Sequence, residues 1–301
     1  MRLKQMILGF IMTLVIGSTA VSLYGNDDHS ETETIFFEET LPVEDKNIDS
    51  FIQISDNYPD EDSRAELFGE EKIIERLIAF NKNLNCNWDY YEITTQALQS
   101  KEFYSGDERF VKIYNRKGGQ IKNQIITENE ESHYVTSLNT IQMSKKAFDK
   151  YLPEIESGER FNDDDFVLSD SDSIPIILGY NYKAYTDIGE IMRLNYLQKD
   201  FEFCVKGFLP RESMIQLDEK IIELDNYICV PNFDCAEIAS GDGIDFLFQI
   251  RYYLQRNSGY IKCDSESDWE GIDQKISNLA GQYGLDYCAI DSVYHIDTVT
   301  K

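Results

Sequence analysis

The stretch whose reading decides the fold is Ser173–Pro210, SIPIILGYNYKAYTDIGEIMRLNYLQKDFEFCVKGFLP. Ile174, Ile176 and Ile177 form a β-branched run that favours a strand. It stops at Gly179, where a residue without Cβ can take a turn. A short helical or looped crossing follows. From Ile191 to Leu197 apolar and polar residues alternate, with Met192, Leu194 and Tyr196 on one face and Arg193 and Asn195 on the other. Gln198-Lys199-Asp200 is expected to turn the chain. The return arm places Phe201, Phe203 and Val205 on the apolar face and Glu202 and Lys206 on the wet one. Alternation on both arms sets the hairpin register, because a slip of one residue would expose every apolar side chain.

This order of elements resembles the extracytoplasmic core of MacB/FtsX-type ABC transporter permeases. The residues that carry the resemblance are Leu178, Gly179, Tyr180, Lys183, Gly189, Glu190, Val205, Gly207, Phe208 and Leu209. A later run, Asp225 to Pro231 (DNYICVP), is similar to the strand that follows in that family. The likeness covers about the middle third of the chain, and short strands with Gly turns recur in many folds. It implies an α+β fold: a porter-like α/β ectodomain built from both ends of the outside segment, with a β-rich part inserted between.

Toward the N-terminus, Met6–Tyr24 is 19 residues without a charge, behind Arg2 and Lys4. A spanning helix needs about 20 mostly apolar residues, and the preceding cations place the N-terminus inside. The expectation is a transmembrane helix or signal anchor over 1–25 and an extracytoplasmic domain over 26–301. A cleaved signal peptide competes, since Ser18-Thr19-Ala20 is a passable cleavage site. The resemblance favours retention, with the chain single-pass in the cell membrane and its bulk outside.

The outer part divides by pattern. A β-α-β unit is expected at about 50–96. It comprises a strand at Phe51–Ser55, a helix at Gly69–Asn85 frayed by asparagines, and a strand at Trp88–Thr95. The β-rich middle spans about 100–235, with Lys117-Gly118-Gly119 marking a turn and a short helix at Ser144–Leu152. A second α/β unit spans about 240–291. Its first helix, Ser240–Asn257, turns Ile244, Leu247, Phe248, Ile250 and Leu254 inward. Its second opens on Ser267 and Glu270, which have capping-box spacing. That helix repeats Trp269, Ile272, Ile276, Leu279 and Tyr283, and stops at Gly284.

The chain holds 55 acids and 28 cations, net −27. Nucleic-acid binding needs cationic surface, so this balance excludes it. It also disfavours anionic headgroups, permits attraction of cationic peptides and keeps an exported domain soluble. Six cysteines, Cys86, Cys204, Cys229, Cys235, Cys263 and Cys288, contain no CxxC pair. Fifteen full pairings are open, but the strand-like surroundings favour mostly free, buried thiols.

His29, His133 and His295 form no metal motif, and neither a GxSxG elbow nor a phosphate loop is present. Asp163–Asp165 with Asp170 and Asp172 resemble a calcium loop. Pro175 and Asn181 stand where an EF-hand needs Gly and Glu, so a solvated loop is expected. No catalytic, cofactor-binding or metal residue is assigned.

The resemblance implies a non-catalytic extracytoplasmic part of a permease that couples ATPase-driven motion to export or release of a peptide, lipoprotein or similar substrate. Its partners would be a cytoplasmic ABC ATPase and other permease helices or a second permease copy. The three helices expected after the ectodomain do not appear in the sequence. The alternative is a membrane-anchored or secreted binding or sensor domain of unknown ligand, and a third class is an exported hydrolase.

Overall fold

The computed structural model describes residues 49–58, 61–114, 119–128, 131–168, 173–217, 220–263 and 269–298. Residues 49–301 form one compact unit. The apolar segment over 1–25, His29, Ser267 and the run from Asp170 to Asp172 lie outside the described residues. No helix among the described residues is long and apolar enough to cross a membrane.

In chain order the strands are β1 (Ser50–Asp56), β2 (Tyr90–Tyr91), β3 (Ile93–Thr94), β4 (Leu98–Ser100), β5 (Gln124–Glu128), β6 (Glu131–Leu138), β7 (Thr140–Met143), β8 (Ser157–Gly158) and β9 (Val167–Leu168). They continue with β10 (Ile174–Leu178), β11 (Ile191–Tyr196), β12 (Lys199–Phe208), β13 (Met214–Leu217), β14 (Lys220–Glu223), β15 (Ile228–Pro231), β16 (Asp234–Cys235), β17 (Tyr260–Cys263) and β18 (Tyr287–Thr298). The helices are α1 (Glu61–Glu66), α2 (Ile73–Asn87), α3 (Lys145–Tyr151), α4 (Ile244–Arg256) and α5 (Trp269–Gln282). The domain is a mixed α+β structure. Nine strands in the order β3-β7-β15-β10-β12-β11-β4-β6-β5 curl into a half-barrel sheet.

A second sheet has the order β14-β13-β18-β1-β17-β2. Both β17 and β18 run antiparallel to β1, and β2 runs antiparallel to β17. The first β-α-β unit, β1-α2-β2, therefore does not close on itself, because β17 lies between its strands. Likewise β1 lies between β17 and β18, the strands of the second unit. The two ends of the domain interleave as a pair of split β-α-β units.

The segment read as one strand, Trp88–Thr95, is two short strands in different sheets. β2 pairs with β17, and β3 pairs with β7. Glu92 is the pivot between them. Its side chain is buried and meets the Arg256 guanidinium bidentately, at 2.7 Å to Nε and 3.2 Å to Nη2. Asn81 and Asn85 of α2 donate to Glu92 Oε1 at 3.0 and 3.2 Å. Arg256 Nη1 donates to Phe233 O at 2.8 Å and to Asp234 Oδ1 at 2.6 Å. This one cation thus joins α2, the β2–β3 crossing, α4 and the chain entering β16. Burial opposes the charge on Arg256, yet Glu92 and Asp234 beside it hold the proton more firmly than usual.

Two helix readings are corrected. α4 was expected to turn one stripe inward, but it is enclosed on most sides. Phe248, Gln249, Ile250, Arg251, Tyr252, Tyr253 and Leu254 are all buried, whereas Ile244 at its start is exposed. A helix buried nearly all round is central rather than peripheral. The asparagines of α2 do not fray it. Asn83, Asn85 and Asn87 each donate to the carbonyl four residues earlier, and the helix runs on to Asn87. Ile73, Ile74, Leu77, Ile78 and Leu84 recur near helical spacing in the sequence; on α2 Ile73, Ile74, Leu77 and Leu84 are buried and Ile78 is half-buried. Gly284 ends α5 at φ 62, in the left-handed region that favours glycine.

Candidate functional site

The hairpin register follows the alternation in the sequence. Met192 faces Phe203, Leu194 faces Phe201 and Arg193 faces Glu202 across β11 and β12. Leu194, Tyr196, Phe203 and Val205 are buried. Arg193 Nε donates to Glu202 Oε1 at 3.1 Å on the wet face. The turn sits one residue earlier than expected. Leu197 and Gln198 form it, with φ of 49° and 74°. Such a two-residue turn with positive φ at both positions matches the twist of the flanking strands. Asn195 secures it, accepting from Gln198 N at 3.1 Å and donating to Asp200 Oδ1 at 2.6 Å.

The ten residues that carry the sequence resemblance converge on the end of this hairpin. β10 runs parallel to β12, with Leu178 beside Phe208. Leu209 N donates to Leu178 O at 2.8 Å, Gly189 N to Val205 O at 2.8 Å and Val205 N to Glu190 O at 3.0 Å. Between β10 and β11 the chain crosses as a 3-10 turn over Tyr180–Ala184. Gly179 before it is extended, not left-handed, at φ −62°. Its requirement is close approach: a Cβ there would lie 2.0 Å from Leu224 O. Gly158 of β8 does need a positive φ, at 88°, and pairs with Gly207 where β8 continues the β11 side of β12.

The crossing and the turn after it build a surface. Tyr185, Ile188 and Ile191 are exposed by 56%, 50% and 47%, which exceeds what a packed strand end needs. Beside them lies an open cleft of about 420 Å³ lined by Ser157, Lys183, Thr186, Asp187, Ile188 and Phe208. Lys183 crosses it. Its ammonium lies 5.3 Å from the Tyr180 ring centre and 5.6 Å from that of Phe208, and pairs with Glu156 Oε2 at 2.5 Å. Thr186 Oγ1 donates to Glu190 Oε2 at 2.6 Å, which braces the turn. Tyr185 leans on Phe110, ring centres 5.5 Å apart, and donates to Asp107 Oδ2 at 3.4 Å. The hydrogen bonds and charge of Arg109 lower the Asp107 carboxyl to about 2, so it is ionised throughout the physiological range. Beneath, Tyr182 stacks on Phe110 at 3.9 Å, and its buried hydroxyl makes no hydrogen bond.

This arrangement offers apolar contact area, a positioned ammonium and ionised carboxylates. Among the described residues no three His, Cys, Asp or Glu side chains group as a metal site. Asp163–Phe166 is a 3-10 turn capped by Asn162, and Asp165 pairs with Lys206. Asp163 also lies 3.4 Å from Lys145 Nζ, so Asp163 and Asp165 are engaged locally. His133 lies on β6, separated from β11 by β4, and His295 contributes its backbone to β18. None of the six cysteines forms a disulfide. Cys229 and Cys263 are buried, Cys204, Cys235 and Cys288 are half-buried, and Cys86 is exposed. Burial pushes the Cys229 thiol up to about 12 and that of Cys235 to about 11, so neither is a ready nucleophile. Alternation in the sequence locates the hairpin, but the exposure of Ile188 and Ile191 has no signal there, because isoleucine normally reports a buried strand.

No protein-family model, curated protein or solved structure matches the chain.

Proposed function

We propose that this chain is the non-catalytic extracytoplasmic part of an ABC permease of the MacB/FtsX-like class, anchored by the apolar segment over 1–25. The observation that carries the reading is the convergence of Leu178, Gly179, Lys183, Gly189, Val205, Gly207 and Phe208 around one exposed, braced crossing. The interleaved β-α-β units at the two ends, with a β-rich part between, agree with the porter-like ectodomain that the resemblance implies. In this reading the Tyr185–Ile188–Ile191 surface receives a neighbouring permease helix bundle or a second permease copy. A cytoplasmic ABC ATPase supplies the motion, and the domain passes it to an exported peptide or lipoprotein.

The test places a photo-crosslinking residue at Ile188 in membranes of the native host. Recovery of an ABC permease subunit on that residue, with an ABC ATPase in the same mild-detergent complex, supports the reading. Crosslinks to soluble extracytoplasmic molecules alone overturn it in favour of an anchored or secreted binding domain. The open cleft beside Lys183 is the feature that favours that second reading.

A further inference from the structure

The half-barrel sheet ends at β5, which has β6 on one side and no strand on the other among the described residues. The direction of its free groups follows from the backbone of β6. Ser137 N donates to Ile121 O at 2.9 Å, and Ser137 O accepts from Lys112 N at 2.8 Å. Backbone groups alternate in direction along a strand. Val135, His133 and Glu131 therefore face β5 as Ser137 does, and their register partners Gln124, Ile126 and Glu128 face back. Ile125 and Thr127 then direct their N–H and C=O groups outward. Natural edges are usually blunted by Pro, Lys or a bulge, and QIITE contains none of these.

The side chains beside this edge are apolar and exposed. Ile125 is 64% exposed, opposite Tyr134 on β6 at 37%. Phe103 is 63% exposed and packs edge-on against Tyr134, with ring centres 5.3 Å apart. An aromatic pair left in water beside an unpaired strand is a recognition feature rather than a packing one.

The charges around it select the partner. Glu102 and Glu131 are exposed. The nearby cations are already matched: Lys122 pairs with Glu108 at 2.6 Å and Lys101 with Asp200 at 3.0 Å. A second copy of this chain would bring a net charge of −27 against −27, and the same acids against each other. A cationic strand gains attraction where a second copy meets repulsion.

We propose that the edge of β5 binds an extended peptide segment with alternating basic and apolar residues, added as a further strand. Its main chain would pair with Ile125 and Thr127, its apolar side chains would lie on Ile125, Tyr134 and Phe103, and its Lys or Arg residues would face the acids. This site is built on β5 and β6 rather than on the β10–β11 crossing, and does not rest on the permease reading.

The test uses the full chain in a non-ionic detergent and a fluorescein-labelled peptide, Lys-Val-Lys-Ile-Lys-Val-Lys, read by fluorescence anisotropy. Saturable binding that weakens with salt is expected, with slowed hydrogen exchange at Ile125 and Thr127. The same peptide N-methylated at alternate residues keeps its charge but loses its donors, and should bind at least about tenfold more weakly. Ile125→Lys, at an exposed position, should weaken binding of the parent peptide about tenfold or more. Ile221→Lys, on the outer strand β14 of the other sheet, should leave it within about twofold. Equal binding of the N-methylated peptide would reduce the effect to charge alone and overturn the proposal. So would exchange protection elsewhere in the domain, or protection of Ile125 and Thr127 by self-association without peptide.

Discussion

Replacing Arg256 by Met is the sharpest probe of how this domain is held together. The side chain is 6% exposed and Glu92 is 2% exposed, so water does not reach the pair freely. Removing the guanidinium deletes its two bonds to Glu92 and those to Phe233 O and Asp234. The Glu92 carboxylate keeps only the amide donors of Asn81 and Asn85. Leaving one member of a buried pair uncompensated costs about 3–5 kcal/mol. Replacing both with neutral groups of similar size is far milder, so Arg256→Met with Glu92→Leu should recover most of the loss. Urea unfolding followed by the fluorescence of Trp88 and Trp269 reads both. A single variant within about 1 kcal/mol of the parent at pH 8, or a double variant worse than the single, would refute the account of Arg256 as the joint between sheets.

Three further expectations follow from the sheet and its turns. Phe203→Ala should cost about 3–5 kcal/mol in denaturant titration, because the ring is fully buried. Glu202→Ala, whose ion pair with Arg193 is largely exposed, should stay within about 0.5 kcal/mol, and equal effects would mean a wrong register. Gln198→Gly should raise the thermal midpoint, worth up to about 1 kcal/mol, since glycine adopts the φ of 74° without strain; an unchanged or lower midpoint would show that Gln198 contributes contacts that outweigh its backbone. Lys112 has its ammonium buried against Thr95 O, and burial lowers its pKa to about 8. The charged form is disfavoured in the fold, so that penalty is complete below about pH 8 and disappears as pH rises toward the unfolded value of about 10.4. Lys112→Met should therefore stabilise the protein at pH 7, with an advantage over the parent that shrinks by pH 10; a constant difference across that range would contradict the assignment.

The hairpin β11–β12, the buried face of α2 and the stop of α5 at Gly284 are legible in the amino-acid order alone. Each depends on a period of two or on neighbours three and four residues away, and these are properties of the local chain. The gathering of Leu178, Lys183, Gly189 and Phe208 is half legible: alternation places the strands, but not the parallel β10–β12 pairing that sets Lys183 over the Phe208 ring. The rest was decided by contacts distant in sequence. Trp88–Thr95 reads as one strand, and it breaks at Glu92 because Arg256, 164 residues later, holds that carboxylate. α4 has an amphipathic pattern, yet it is enclosed because α2 and the chain around β16 close over its polar side. Gly179 marks a turn in the sequence, whereas in the fold its hydrogen makes room for Leu224 O. Which strand ends a sheet, and so whether Ile125 meets a neighbour or water, depends on the pairing order of the whole domain, which no local period encodes.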